Sequence, residues 1–337
     1  MSPRTFVIAE AGVNHNGSLD LALELVSAAK ATGADAIKFQ TFSADRLVTR
    51  TAAKADYQRA SASGDESQYE MLKSLELSSD AFRRIRAHCT ATGLTFMSSP
   101  FDEEAADLLD ALGVEIFKIP SGEITNLPFL RHVATKGKPV ILSTGMCWLG
   151  EVEVAVRTLT EAGVQELTLL HCVTEYPAPF EQINLRAMQT LGQAFGLPVG
   201  YSDHTQGIEA SIAAVALGAR VIEKHFTLDT TLPGPDHRAS LAPPEFKQLV
   251  DCIRNVEMAL GDGRKRPAPC EVPNIAVARK SVVAVRPLPA GTRLTAADLA
   301  IKRPGHGIPP ASRDAIVGRL VARPVEADQP IRWQDLA

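Results

Sequence analysis

Cysteine is scarce in this chain and poorly arranged for cross-linking: 5 among 337 residues, at Cys89, Cys147, Cys172, Cys252 and Cys270. The number is odd, the spacings are wide and no C-x-x-C occurs. That excludes a disulfide framework or a thiolate zinc site and leaves reduced, mostly structural thiols. Long apolar runs are missing as well. No stretch approaches the ~18 uninterrupted apolar residues of a membrane span. The N-terminal MSPRTFVIAEAG has no core fit for a signal peptide, so a cytoplasmic protein without a membrane partner is expected. Charge of one sign is also lacking. With 35 Lys+Arg against 39 Asp+Glu, net −4, and no long run of Lys or Arg, the field is wrong for neutralising phosphates along a nucleic acid.

What is present is apolar surface and repetition. At 45% hydrophobic and 22% charged, the chain can fill a (β/α) barrel plus a small appendage, or two medium domains. Eight β-branched runs recur: Phe6–Gly12, Asp35–Gln40, Leu94–Pro100, Ile116–Glu123, Pro139–Met146, Leu167–Val173, Pro198–His204 and Arg220–Phe226. Helical patterns lie between them, at Leu19–Thr32, Asp80–Thr92, Asp102–Leu112, Glu151–Ala162 and Ile208–Leu217, each closed by a glycine suited to a left-handed C-cap. Ser18, Ser79 and Asp102 are the expected N-caps. Strand and helix alternating in this way give an α/β fold, a TIM (β/α)8 barrel.

The spacing between the second and third strands is much longer than the others. An elaborated loop around Lys54–Glu76 is therefore expected on the C-terminal face, where barrel loops build active sites. After a last helix from about Pro244 to Leu260 the pattern breaks. The expected organisation is a barrel over residues 1–262, a Pro- and charge-rich linker over 263–277 and a small domain over 278–337. The last has short strands at Ser281–Arg286, Leu299–Lys302 and Leu320–Ala322, and turns at Pro289–Gly291 and Pro304–Gly307.

Polar residues gather where the barrel strands end. Strand by strand these are Glu10, then Lys38 and Gln40, Ser98 and Ser99, Lys118 with Ser121 and Glu123, Ser143, His171 with Tyr176 following, Ser202 to His204, and Glu223 to His225. Lys38 and Gln40 share one strand face, and Ser202 shares one with His204. His204 and His225 close neighbouring strands, so their imidazoles can converge on a metal such as Mn, Fe, Co or Zn while leaving positions open for water and substrate. Asp203 is a candidate to orient His204. Lys38 and Lys118, with Ser99, Ser121 and Ser143, would cradle a compact, multiply charged anion. Two other readings of the lysines stand beside this one: a structural network with Glu10 and Glu123, or a Schiff-base nucleophile of an aldolase or lyase. Glu10, Glu123 and Asp236 are carboxylates suited to acid–base work or to sugar hydroxyls, Asp236 within the rigid loop Leu232–His237.

The segments IAEAGVNHNG, IKFQTF, SSPFD, KIPSGE, ILSTGM, LLHCVTEYPAP, GYSDHT, IEKHFTLD, LPGPDHRAS and KRPGHGIPP, in this order, carry a resemblance. The chain resembles the bacterial sialic acid synthases, the N-acetylneuraminate synthase family. The resemblance implies a TIM barrel joined to an antifreeze-like (SAF, β-clip) domain in a domain-swapped homodimer. It further implies condensation of phosphoenolpyruvate with N-acetylmannosamine and water, giving N-acetylneuraminate and phosphate by C–O cleavage. A divalent metal, most often Mn²⁺, with Mg²⁺ or Co²⁺ as alternatives, would serve the reaction. By the same resemblance His204 and His225 would ligate the metal, and Lys38, Ser99, Lys118, Ser121, Ser143, Thr174 and Ser202 would meet phosphoenolpyruvate. Glu10, Gln40, Tyr176 and Asp236 would meet the sugar, with Glu123 near the reacting carbons. Arg303 of the tail would reach the partner's site. Glu10, Glu123, Lys38 and Lys118 are the expected catalytic groups. The alternative within the family is a legionaminic acid synthase using 2,4-diacetamido-2,4,6-trideoxymannose. Outside it stand a lysine-imine aldolase and a non-catalytic ice- or partner-binding module.

Overall fold

The computed structural model describes residues 4–54 and 67–337. They fall into two units that meet in the chain at Asp262 and Gly263, each described by itself.

In the first unit the eight expected strands form: β1 Phe6–Gly12, β2 Ala36–Thr41, β3 Thr95–Pro100, β4 Phe117–Ile119, β5 Val140–Ser143, β6 Leu167–Cys172, β7 Val199–Asp203 and β8 Val221–His225. All pair in parallel, in the order β3-β2-β1-β8-β7-β6-β5-β4. The ladder between β1 and β8, from Phe6 opposite Val221 to Glu10 opposite His225, brings the first strand to the last. β3 and β4 lie side by side without a shared ladder, which leaves the barrel nearly closed.

Ten helices of this unit are described: α1 Leu19–Thr32, α2 Ala44–Leu47, α3 Gln68–Leu75, α4 Ser79–Thr92, α5 Glu103–Ala111, α6 Leu127–Ala134, α7 Leu149–Glu161, α8 Arg186–Phe195, α9 Glu209–Ala216 and α10 Pro243–Leu260. α1 shows why they form. The Ser18 hydroxyl accepts from the Leu21 N–H, Ala22, Leu25, Val26 and Ala29 make one buried stripe, and Gly33 ends the helix at φ 84°. Truncating Leu25 to Ala would remove ~2–5 kcal/mol.

Several expectations need correction. α4 is capped by Ser78, with Ser79 already helical. The fourth strand stops at Ile119, because Pro120 has no N–H to extend a ladder, and Ser121–Glu123 coil into a 3₁₀ turn. α6 and α8 were not expected. The elaborated loop around Lys54–Glu76 is partly described: α3 falls within it, while residues 55–66 lie outside the described residues.

The second unit carries α11 Val272–Ala278, β9 Ser281–Ala284, β10 Leu299–Lys302 and α12 Arg313–Ile316. β9 and β10 are antiparallel, with Leu299 opposite Ala284 and Lys302 opposite Ser281. Its small core gathers Val282, Leu288, Leu294, Leu299, Ile308, Ile316, Val321, Val325 and Ile331. The expected strand Leu320–Ala322 is reduced to single bridges, Arg293 to Leu320 and Val321 to Leu336, in a unit built mainly of turns. Residues 263–277, read as a linker, group with this unit, and the Ala276 carbonyl accepts the Gly305 N–H at 2.7 Å. Among the described residues no helix is long and apolar enough to cross a membrane.

The interior of the barrel is layered. Ile8, Ala36, Met97, Ile141, Leu170 and Val221, with Phe6 and Ile116 beside them, form an apolar cluster low in the lumen. Strand seven contributes no side chain at this level. A Cβ on Gly200 would sit 2.3 Å from the Val221 carbonyl oxygen and 2.7 Å from Leu170 Cδ2, so the floor is packed solid.

Candidate active site

Two residues further along each strand, the period of the pleat returns a side chain to the lumen. The apolar floor is thereby followed by Glu10, Lys38, Ser99, Lys118, Ser143, Cys172, Ser202 and Glu223, one from each strand. All eight line one cavity of about 330 Å³. Gln40, Ser121, Thr174, Tyr176, His204 and His225 line it above them, and Leu47, Val48, Gln68 and Leu72 wall it from the long connection between β2 and β3. A larger concavity of about 650 Å³ adjoins and shares Met146 and Cys172, but its lining includes no lysine or carboxylate.

Lys38 Nζ lies 2.7 Å from Glu10 Oε2 and 3.7 Å from Glu223 Oε2, and it donates to Ser99 Oγ at 3.1 Å. Lys118 Nζ lies 3.3 Å from Glu223 Oε1, which also accepts from Ser202 Oγ at 2.9 Å. The four charged groups are therefore linked through Glu223. Burial raises the Glu10 carboxyl to about 7 against the pull of Lys38. Burial also works against the charge of Glu223, but Lys118 and Lys38 flank it and hold it down at about 2. Burial and the nearby Lys38 lower Lys118, whereas Glu10 and Glu223 outweigh burial and raise Lys38.

The lysines and serines expected to form a cradle line one cavity, and the network expected with Glu10 and Glu123 takes a different form. Each lysine is already matched by a carboxylate, and the second carboxylate is Glu223 rather than Glu123. Glu223 was missed as a site residue, although its i, i+2 relation to His225 puts both on one face of β8.

The two imidazoles meet above this network, with ring centroids 5.6 Å apart and planes at 64°. Tyr176 covers them, 4.2 Å from the His204 ring and edge-on to His225 at 5.4 Å. His204 Nδ1 lies 2.6 Å from the Val173 carbonyl, which can only accept, so Nδ1 holds the proton and Nε2 faces Ser202 Oγ at 3.4 Å with a lone pair. Burial lowers His204 to about 4. It also lowers His225 well below its usual range, with His204 adding to the effect. Both rings are neutral at ordinary pH, the form that binds a metal. His225 Nδ1 is buried with no hydrogen-bond partner, and Asp236 Oδ2 stands 3.9 Å from it. This donor set fits a borderline divalent cation with open positions. Among the described residues no group of three or more His, Cys, Asp or Glu assembles around one point.

Asp203 does not contact the His204 ring. One residue away on the strand it faces outward, and the group that holds His204 Nδ1 is the Val173 carbonyl.

Asp236 reaches the rim without lining the cavity. At Gly12, φ +52°, a Cβ would lie 3.3 Å from both Gln40 Nε2 and Glu10 Oε1 and 3.5 Å from Asp236 Oδ2. Only glycine lets these three polar groups converge where the register of β1 shifts. The Asp236 loop is pinned by His237, which bonds Thr227 Oγ1 at 2.7 Å and Asn16 Oδ1 at 3.2 Å. On the opposite wall the Gly145 N–H donates to Ser121 Oγ at 2.9 Å, and a Cβ there would meet Thr174 Oγ1 at 2.4 Å. Glu123 is half-buried outside the lining, where its Oε2 accepts from Asn126 at 2.7 Å. Arg303 belongs to the second unit and is exposed there, one residue beyond β10.

The chain is similar to known proteins along nearly its whole length. The chain is 50% identical over 335 residues to an N,N'-diacetyllegionaminic acid synthase of Legionella pneumophila, covering 98% of this chain and 94% of that protein. An N,N'-diacetyllegionaminic acid synthase of Campylobacter jejuni is also 50% identical, over 331 residues, covering 98% and 99%. The crystal structure of an N-acetylneuraminic acid (sialic acid) synthetase from Leptospira borgpetersenii, in complex with citrate, superposes with a TM-score of 0.72 at 36% identity, covering 81% of this chain and 90% of that one. Residues 25–265 match the model of the NeuB family and residues 279–337 that of the SAF domain, so the chain is a TIM barrel followed by a SAF domain and belongs to the NeuB family.

Proposed function

We propose that this protein condenses phosphoenolpyruvate with 2,4-diacetamido-2,4,6-trideoxymannose and water, giving N,N'-diacetyllegionaminic acid and phosphate. The observation that carries the reaction class is the charged lumen, Lys38–Glu10–Glu223–Lys118, lying directly beneath two neutral imidazoles. The sugar is argued from similarity: identity is 50% to the two legionaminic acid synthases and 36% to the sialic acid synthetase. N-acetylneuraminate synthesis, the first reading of the resemblance, becomes the second.

In this proposal C3 of phosphoenolpyruvate attacks the aldehyde carbon of the open-chain sugar, water adds at C2, and the C2–O bond to phosphate breaks. Lys38, Lys118 and the hydroxyls of Ser99, Ser121, Ser143, Thr174 and Ser202 hold the anion, and fixing it beside the aldehyde removes several kcal/mol of orientational cost. His204 and His225 would hold a divalent metal, Mn²⁺ above all, which when bound supplies Lewis-acid polarisation of the aldehyde oxygen. Its charge also matters because both lysines are already matched by carboxylates. Gln40, Tyr176 and Asp236 meet the sugar, and Arg303 does so from a second copy in a swapped dimer. Glu10, near neutrality beside Lys38, is the cavity-lining carboxyl placed to hold a proton, whereas Glu123 is not part of that lining.

One assay separates the readings: phosphate release with each candidate sugar. Faster turnover with the diacetamido sugar is expected, and turnover with N-acetylmannosamine alone would overturn the assignment. A lysine-imine aldolase would be inactivated by borohydride with substrate present. Protection from it is expected here, because Lys118 is paired to Glu223 at 3.3 Å.

A further inference from the structure

The last paired residues of the β7–β8 ladder are Asp203 and Lys224, immediately before His204 and His225. Both side chains are fully buried on the outer face of the strands, 3.1 Å apart, away from the cavity. Asp203 Oδ1 accepts from the Thr205 N–H at 2.9 Å and from Thr205 Oγ1 at 2.8 Å, and Oδ2 accepts from Ser211 Oγ at 2.6 Å. Lys224 Nζ also donates to the Thr205 carbonyl. The carboxylate next to His204 on one side thus holds Thr205 on the other and anchors to Ser211, and the lysine ties that same segment to the residue before His225.

Stability alone does not call for such an arrangement. A well-packed apolar pair of similar volume in place of a buried ion pair is often as stable or more so. What an apolar pair lacks is direction. Charge-assisted bonds to Thr205 fix where the strand ends, at the point where the ladder no longer does.

We infer that Asp203 and Lys224 are positioning residues, a staple behind the strands that sets the spacing of the His204 and His225 imidazoles in front of them. The inference rests on the reading of those imidazoles as metal ligands. Without the staple the ends of β7 and β8 move independently, and the two rings lose their common focus.

The test is Mn²⁺ binding by the full-length protein without substrates, read from the electron paramagnetic resonance signal of free Mn²⁺. Circular dichroism melting is recorded on each sample. Asp203→Asn, Lys224→Met and the double Asp203→Leu/Lys224→Met are compared with wild type well below their melting temperatures. Affinity is expected to weaken by about 10- to 100-fold in all three, the range seen when the outer partners of metal ligands are removed. Ser211→Ala, which keeps the pair and loses one bond, should fall between them and wild type. The double variant leaves no charge buried alone, so it tests the idea even where a single variant fails to fold. A folded double variant with wild-type affinity would overturn the staple and leave the metal site standing. Wild-type protein that binds no Mn²⁺ would overturn the metal reading and the staple with it.

Discussion

β7 and β8 carry buried polar clusters on both faces, and the two clusters follow opposite rules. Behind the strands each carboxylate oxygen of Asp203 has a donor, and Lys224 has both its carboxylate and the Thr205 carbonyl. In front of them Ser143 Oγ, Thr174 Oγ1 and His225 Nδ1 are buried without a hydrogen-bond partner. Satisfied buried polar groups rigidify a fold, while unsatisfied ones cost free energy unless something else completes them. Behind β7, among the described residues, only the Tyr201 hydroxyl lacks a partner, so the same alternation that gives the barrel its two faces separates a satisfied Asp203–Lys224 pair from front groups left open to a ligand.

The comparison can be broken most severely at His204. His204→Ala should abolish Mn²⁺ binding and bring turnover to background while the melting temperature stays near wild type. Unchanged turnover in excess Mn²⁺ would remove the front cluster from the chemistry. Next come two carboxyl-to-amide changes, one on each face. Asp203→Asn should cost ~3–5 kcal/mol in denaturant unfolding, since it leaves Lys224 buried and unmatched. Glu223→Gln changes a residue that lines the cavity and likewise leaves Lys118 without its carboxylate. It should in addition lower kcat by about 10²- to 10³-fold, the effect of losing one preorganised polar contact at a reacting centre. Equal kcat losses from the two in saturating Mn²⁺ would erase the contrast.

A smaller effect is expected from Ser143→Ala. Its hydroxyl has no partner in the folded protein, so stability should change by less than ~1 kcal/mol, while the KM for phosphoenolpyruvate rises by roughly fivefold to tenfold, one lost hydrogen bond. A destabilised variant with unchanged KM would show that the hydroxyl serves the fold.

The last effect appears only in acid and is nil near neutral pH. Burial lowers His15 to about 4, and in an unfolded chain it returns to about 6.5. Between these values the unfolded state binds the extra proton. The stabilisation is thus full above pH 6.5 and lost as pH falls through about 4, at up to ~1.4 kcal/mol per pH unit for one such group. His15→Asn, which can still accept the Gly17 N–H now held by His15 Nδ1 at 3.1 Å, should flatten that slope in the barrel unit's transition. In the second unit the one histidine, His306, is exposed. A pH profile unchanged by the substitution would remove His15 as the source.

Much of the barrel was legible because short β-branched runs, helical stripes and glycine stops all describe the same strand–helix repeat. β1, α1 and β10 have the bounds expected of them. α8 was not, since it starts at Leu185 without a side-chain cap, and its clearest signal is the left-handed Gly196 at its end. In the site, His204, His225 and both lysines were readable as polar residues at strand ends. Glu223 was missed, and Asp203 was not separated from the cavity-facing residues, for one reason: strand parity was applied to some residues and not to their neighbours. Counting i, i+2 from His225 puts Glu223 inside, and counting one from His204 puts Asp203 outside. Glu123 could not be placed this way, because its strand ends at Ile119 and parity has no meaning in the 3₁₀ turn that follows.

The floor around Gly200 gives the barrel lumen a depth: a molecule held by the lysines and hydroxyls rests on packed apolar side chains, while one held by the imidazoles sits a storey higher.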